Sequence, residues 1–516
     1  MIPRSLVISL FVCSLVGLVF LALSPEVWHW FLIPVFVCGV IIGMDAADWL
    51  TGKLDVFDPA GVIGVYGLFF FFLAPLLHVV TDHWMMEVPP PPDWRVWLGW
   101  MAVLNVAGLL VYRTSRSWLF RRGPIAFRRR TTWQLDPGRF RCLLLAALLL
   151  SLAGQSWIFW KFNGLSGYIA AIERGEGEFY GMTWVFMFAD SFPILGLIGY
   201  AVYARNRRKT VAWPALLAVL ALFFLLEIIF GGLRGTRSNT VWPLFCAVGI
   251  IHFNVRRIPR TLVLLGVAFI VLYVYAYGFY KSAGRSGLAD LFQPETRRVT
   301  EERIRRPIQS TLLDDFGRSD VQAYLLYRMF LPHSDYQYAL GRTYAAAVLR
   351  MVPHPVLKIL FTQRPPTKIK EGTEALRGTG SFNEADESAV SLRIYGLAGE
   401  TMLNFTPWVA PLGFTALALL VSRVQLALRR WPPGDMRWLL APWLVSFCLL
   451  ALVADSDNLV YYCLVRGVFP ALLLAAASRR RALSGVAAEE KPRAGFGDFG
   501  RVGTSAAARN SWNSLR

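Results

Sequence analysis

Charge is scarce in this chain. Asp, Glu, Lys and Arg make up 17% of its 516 residues, against about 25% in an ordinary soluble domain. Cysteine and histidine are also rare, six of each. Cys13, Cys38, Cys142, Cys246, Cys448 and Cys463 lie in or beside apolar runs with no CxxC spacing. That excludes a disulfide framework and a zinc pattern, and leaves the six as small apolar side chains. No histidines stand as HxxxH or HExxH, so the expectation is no metal site and no cofactor. The period-two alternation of a transmembrane barrel is missing too.

What is present is apolar bulk, 55% of the residues, gathered into runs that approach the roughly 20 residues a helix needs to cross a bilayer. Backbone in hydrocarbon must satisfy its own hydrogen bonds, so these runs are predicted helices. Twelve are expected, at about 5–23, 29–44, 59–80, 96–112, 142–160, 183–203, 212–230, 238–253, 261–280, 406–427, 438–454 and 459–477. No small-residue cleavage site follows the first, which reads as a retained helix and not a signal peptide.

The net charge of +19 sits largely in short loops. Arginines crowd 113–141, RNRRK fills 205–209, and Arg256, Arg257, Arg260, Arg429, Arg430, Arg437 and Arg479–Arg481 complete the set. With twelve spans all of these fall on one side, which the positive-inside bias makes cytoplasmic, with both termini inside. The charge thus marks orientation and not nucleic-acid binding. The expected fold is all-α, a polytopic membrane helix bundle with a large external loop between spans nine and ten. Its parts are 1–280 (spans one to nine), 281–405 (external loop), 406–478 (spans ten to twelve) and 479–516 (disordered basic tail). Val321–Phe330 and Tyr344–Arg350 read as helical pieces within the loop.

Polar residues that interrupt apolar runs are costly and so point to function. Glu227 opens EIIFGGLRGTRS near the outer end of span seven, with Arg234 seven residues on and Arg237 three beyond. Glycines that free backbone N–H groups, beside arginine forks, suit a diphosphate; anchoring at the interface is the plainer reading. Asp190, in span six, either lines the same cavity or pairs with a neighbouring Ser or Trp. Glu400, in RIYGLAGETMLNF close to Arg393 and Asn404, either takes a proton from an incoming hydroxyl or is a solvated helix-start carboxylate. Arg364 and Lys368 belong to RPPTKIK, a phosphate grip or a solvated charge run. Asp455 and Asp457 in ADSDN fit a turn between spans eleven and twelve.

Four segments carry a resemblance: FDPAGVIGVYGLFFFFLAPL at 57–76, NGLSGYIAAIERGEG at 163–177, GGLRGTRSN at 231–239 and GETMLNFTPWVAPLGF at 399–414. In these the chain resembles the bacterial O-antigen and oligosaccharide repeat-unit polymerases (Wzy type), with Met402 and Thr406 where that family often has Tyr and Gly. The resemblance implies a membrane-embedded, metal-independent glycosyltransferase of the bacterial inner membrane. It would join polyprenyl-diphosphate-linked oligosaccharide units into O-antigen, capsule or exopolysaccharide on the outer face. It assigns Arg234 and Arg237 to the lipid diphosphate, Glu400 to the acceptor, and Arg174 to the substrate. Partners would be the lipid bilayer and a chain-length regulator and flippase of the same pathway. An O-antigen ligase, a flippase or transporter of the lipid-linked unit, and a membrane scaffold are the alternatives.

Overall fold

The computed structural model describes residues 3–85, 88–121, 131–174, 182–206, 211–234, 236–304, 308–331, 336–349, 352, 367–383 and 393–482. Every apolar run named above is helical: α1 (Arg4–Leu23), α2 (Leu32–Leu50), α3 (Pro59–Val80), α4 (Trp94–Arg121), α5 (Pro137–Lys161), then, after the short amphipathic α6 (Gly164–Arg174), α7 (Thr183–Asn206), α8 (Trp213–Gly232), α9 (Ser238–Asn254) and α10 (Arg260–Asp290). The chain continues through α11 (Pro294–Ile304), α12 (Ile308–Ser310 running into Thr311–Phe316), α13 (Ser319–Phe330), α14 (Arg342–Leu349), α15 (Lys368–Arg377) and α16 (Gly396–Asn404). Last come α17 (Pro407–Arg430), α18 (Ala441–Val453) and α19 (Ser456–Ala477). Among the described residues, ten helices are long and apolar enough to cross a membrane. The chain is a multi-pass, all-α membrane bundle. Of the other two expected spans, α9 has 17 residues and α18 has 13. Thirteen residues rise about 20 Å, short of a hydrocarbon core of about 30 Å.

The span at 261–280 ends where expected, at Lys281, and its helix α10 runs on to Asp290, so the segment placed in the loop from 281 begins as helix. The tail expected from 479 starts as a strand: Ser478–Ala482 pairs antiparallel with Thr131–Leu135. Residues 483–516 lie outside the described residues.

Contacts at and near the helix ends fall into two sets. In one, Arg116 grips Asp45 at 2.7 and 2.8 Å, His252 and Arg257 hold Asp55, Arg260 reaches the carbonyls of Trp49 and Leu54, and Trp133 N–H meets Asp435. In the other, Arg95 pairs with Glu26, His83 with Asp314, Arg237 with Asp315 and Lys368 with Asp455. The described residues of the basic segments thus share one end of the bundle, and α11–α16 gather at the other.

Prolines locate three of the irregular turns. A proline frees the carbonyl four residues earlier and clashes with it. Helices α3 and α19 widen into π-turns at Phe69–Leu73 and Cys463–Val468, just ahead of Pro75 and Pro470. Helix α7 breaks at Asp190, ahead of Pro193. The Ala189 carbonyl freed there accepts the Ser151 hydroxyl of α5 at 2.8 Å.

Candidate functional site

The break in α7 and the π-turns of α8 and α19 meet. Asp190 pairs with Arg234. Glu227 accepts Arg466 Nη1 at 2.6 Å, and Arg466 Nη2 lies 3.4 Å from Asp190 Oδ2. Two arginines and two carboxylates therefore form a charge-balanced quartet, all four buried. Arg234 stacks on Phe186, 3.8 Å from its ring centre, and Arg466 Nη2 also donates to the Asn239 carbonyl at 3.0 Å. Gly231 makes the crossing possible: a Cβ there would lie 2.5 Å from Arg466 Nη2. The carbonyl of Gly232, exposed by the π-turn Ile228–Gly232, accepts the Tyr277 hydroxyl at 2.8 Å. Arg466 is ten residues along α19 from Ser456, about 15 Å, so the quartet lies well inside the bundle. Beneath it a cavity of about 20 Å³ is lined by Asp190, Glu227, Arg466, Trp242, Trp443 and Tyr462, among others. That is room for about one water. One oxygen each of Asp190 and Glu227 has no hydrogen-bond partner.

The structure separates the two arginines that the sequence set side by side. The Arg234 side chain is 5% exposed and turned to Asp190. Arg237, 22% exposed, points the other way, to Asp315 at the α11–α16 end. The salt-bridge partner of Glu227 is Arg466, which the sequence pattern did not single out. An arginine within the apolar run 459–477 is the signal that marks it.

The second cluster surrounds Glu400. This residue sits in the second turn of α16, 3% exposed, and is not a solvated helix-start residue. Ser456 donates its N–H to Glu400 Oε2 and its hydroxyl to Oε1, each at 2.6 Å, and Thr343 donates to Oε1 at 3.1 Å. Asn404, one turn on, donates to Thr343 Oγ1 at 2.6 Å and to the Glu400 carbonyl at 2.9 Å, while its own oxygen accepts Gly341 N–H at 3.0 Å. Burial first, then the negative charge of Asp455, pushes the Glu400 carboxyl up to about 7. A carboxylate with that affinity can take a proton near neutral pH.

Lys368 is the buried first residue of α15, capped by Thr367, and not part of a solvated run. Its ammonium donates to Asp455 at 2.7 Å and to the Arg393 carbonyl at 3.0 Å. Burial is the largest influence and would lower its proton affinity, but the charges of Asp455, Asp457 and Glu400 and the hydrogen bond to Asp455 together outweigh it and raise it. The Arg393 guanidinium lies 3.7 Å from Asp314, which also accepts His83 Nε2 at 3.0 Å. Arg237, Asp315, Asp314, Arg393, Lys368, Asp455 and Glu400 thus follow one another across one end of the bundle. Arg174 closes α6, its side chain outside the described residues, as is Arg364 altogether. Among the described residues no group of three or more His, Cys, Asp and Glu side chains could hold a metal ion. Compared with protein-family models, curated proteins and solved structures, the chain matches none, and its function rests on this geometry.

Proposed function

We propose that this protein is a membrane-embedded glycosyltransferase that joins polyprenyl-diphosphate-linked oligosaccharide units at the end of the bundle bearing α11–α16. On this reading that end is the outer face of a bacterial inner membrane, because the arginine-rich loops gather at the opposite end and such loops stay in the cytoplasm. Counting α9, and α18 together with the turn Met436–Leu439 that leads into it, as crossings gives twelve spans with both termini inside.

The observation that carries the reading is Glu400, a buried carboxylate outside the spans whose proton affinity, near 7, suits a general base. It would take the proton of an acceptor sugar hydroxyl while that oxygen bonds to the donor's anomeric carbon. The bond from that carbon to the diphosphate oxygen breaks, and the diphosphate leaves with the electron pair. Arg237, the more exposed arginine of the 231–239 segment, would meet the growing negative charge. Arg234 and Arg466 would hold the π-turn leading to it. Both reactants are lipid-tethered, so the membrane supplies much of the proximity.

The test replaces Glu400 with Gln and Arg237 with Ala in cells whose surface polysaccharide depends on this chain. Single lipid-linked units should accumulate on the outer face while the variants insert normally. Polymer of normal length in Glu400→Gln ends the base assignment. Long lipid-linked chains would instead indicate a ligase. A second reading, a transporter or flippase of the lipid-linked unit, draws support from the intramembrane quartet and its cavity. It requires the units to accumulate on the cytoplasmic face.

A further inference from the structure

Turn chemistry does not account for Asp455. The residue is fully buried, and its Oδ1 accepts the N–H groups of both Tyr395 and Gly396 at 2.9 Å. Gly396 opens α16, the helix that carries Glu400. It does so at φ +67°, a conformation that side-chain-bearing residues rarely adopt, and a Cβ there would lie 3.2 Å from the Leu452 carbonyl. Oδ2 takes the Lys368 ammonium at 2.7 Å. The next residue, Ser456, gives both its N–H and its hydroxyl to Glu400. One carboxylate therefore ties together the starts of α15, α16 and α19 around Glu400. Burial pushes the Asp455 carboxyl up from its ordinary value, and the Lys368 ammonium and the backbone N–H groups oppose that rise.

We propose that Asp455, salt-bridged to Lys368, is the positioning residue of Glu400: it fixes the start of α16 and sets a second carboxyl, negative when ionised, beside the base. The inference rests on the reading of Glu400 as a base, but it can be measured apart from that reading. A second negative charge beside Asp455 is unfavourable, so Glu400 binds a proton more readily than a carboxylate alone. The other titratable groups acting there are Asp457 on α19, Lys368 on α15 and Tyr344 on α14. Asp455 differs from these in joining the charge to the backbone that aims Glu400.

The experiment is an infrared titration of the Glu400 carboxylic-acid band in the purified full-length protein, the band assigned by its loss in Glu400→Gln. The wild-type midpoint is expected at about 7. Asp455→Asn keeps an oxygen for the Tyr395 and Gly396 N–H groups but removes the charge, and should lower the midpoint by about one pH unit. Lys368→Met leaves that charge uncompensated and should raise it. The acid limb of the polymerisation rate should move with the midpoint in each variant. A midpoint unmoved in both variants overturns the inference. A shifted midpoint in Asp455→Asn together with normal polymer from Glu400→Gln leaves the control by Asp455 standing and removes the base.

Discussion

Replacing Arg466 with Met should be among the most destabilising single changes in this protein. Its Nη1 lies 2.6 Å from Glu227 Oε1 and its Nη2 3.4 Å from Asp190 Oδ2. At an effective dielectric of about 20, a 2.6 Å contact gives roughly 6 kcal/mol of attraction. Desolvation of the two ions cancels several kcal/mol of that. Removing the guanidinium leaves the quartet with one surplus negative charge among buried neighbours, at an expected loss of about 3–5 kcal/mol. Glu227→Leu alone leaves a surplus positive charge and should cost a similar amount. The double variant removes both charges and should recover most of the loss, because apolar side chains of similar volume replace such pairs with little net change. The assay is denaturant unfolding of the detergent-solubilised protein for wild type, both singles and the double. Because the double should be less destabilised than either single, a coupling energy at least as large as one single loss, about 3 kcal/mol or more, is expected. If the single losses simply add in the double variant, the two residues do not act as a pair and the charge-balance reasoning fails.

Gly231→Ala should act on the same cluster without altering its charge. The new methyl would lie 2.5 Å from Arg466 Nη2 and 3.3 Å from Glu227 Oε1, so the guanidinium must shift and unfolding should show a loss smaller than that of Arg466→Met, and wild-type stability would contradict the close approach. Glu400→Gln carries a pH signature. Folding raises the Glu400 carboxyl from 4.5 to about 7, so its contribution to stability is complete below its unfolded value and is lost as pH rises through 7. Wild type should therefore lose up to roughly 3 kcal/mol more than Glu400→Gln between pH 5 and pH 8, and parallel stability curves would contradict this. The Gln side chain can be accommodated, its oxygen on the Ser456 N–H and its amide toward the hydroxyls of Ser456 and Thr343.

Much of the architecture was legible before any coordinates. An apolar run of about twenty residues has one way to satisfy its backbone in hydrocarbon, so the helices at 5–23, 59–80 and 261–280 follow from composition and length alone. Asp190 and Glu227 announce themselves as charges in apolar surroundings. The sequence pattern also brought Glu400, Asn404 and Lys368 forward, although it left open whether they were solvated.

Partnership was decided by the fold. Glu227 has an arginine seven residues away, yet its salt bridge goes to Arg466, 239 residues distant. The rotation of each helix about its axis selects the partner, and that rotation is set by packing against neighbours remote in the chain. The same holds for Asp455, which reads as a turn residue in ADSDN and becomes the buried support of Glu400 only once α15, α16 and α19 converge. Local sequence determines which segments become helices and where they bend, because hydrogen bonding and proline geometry act over a few residues. Burial of a charge beside its counter-charge acts between helices, and only the assembled bundle fixes it.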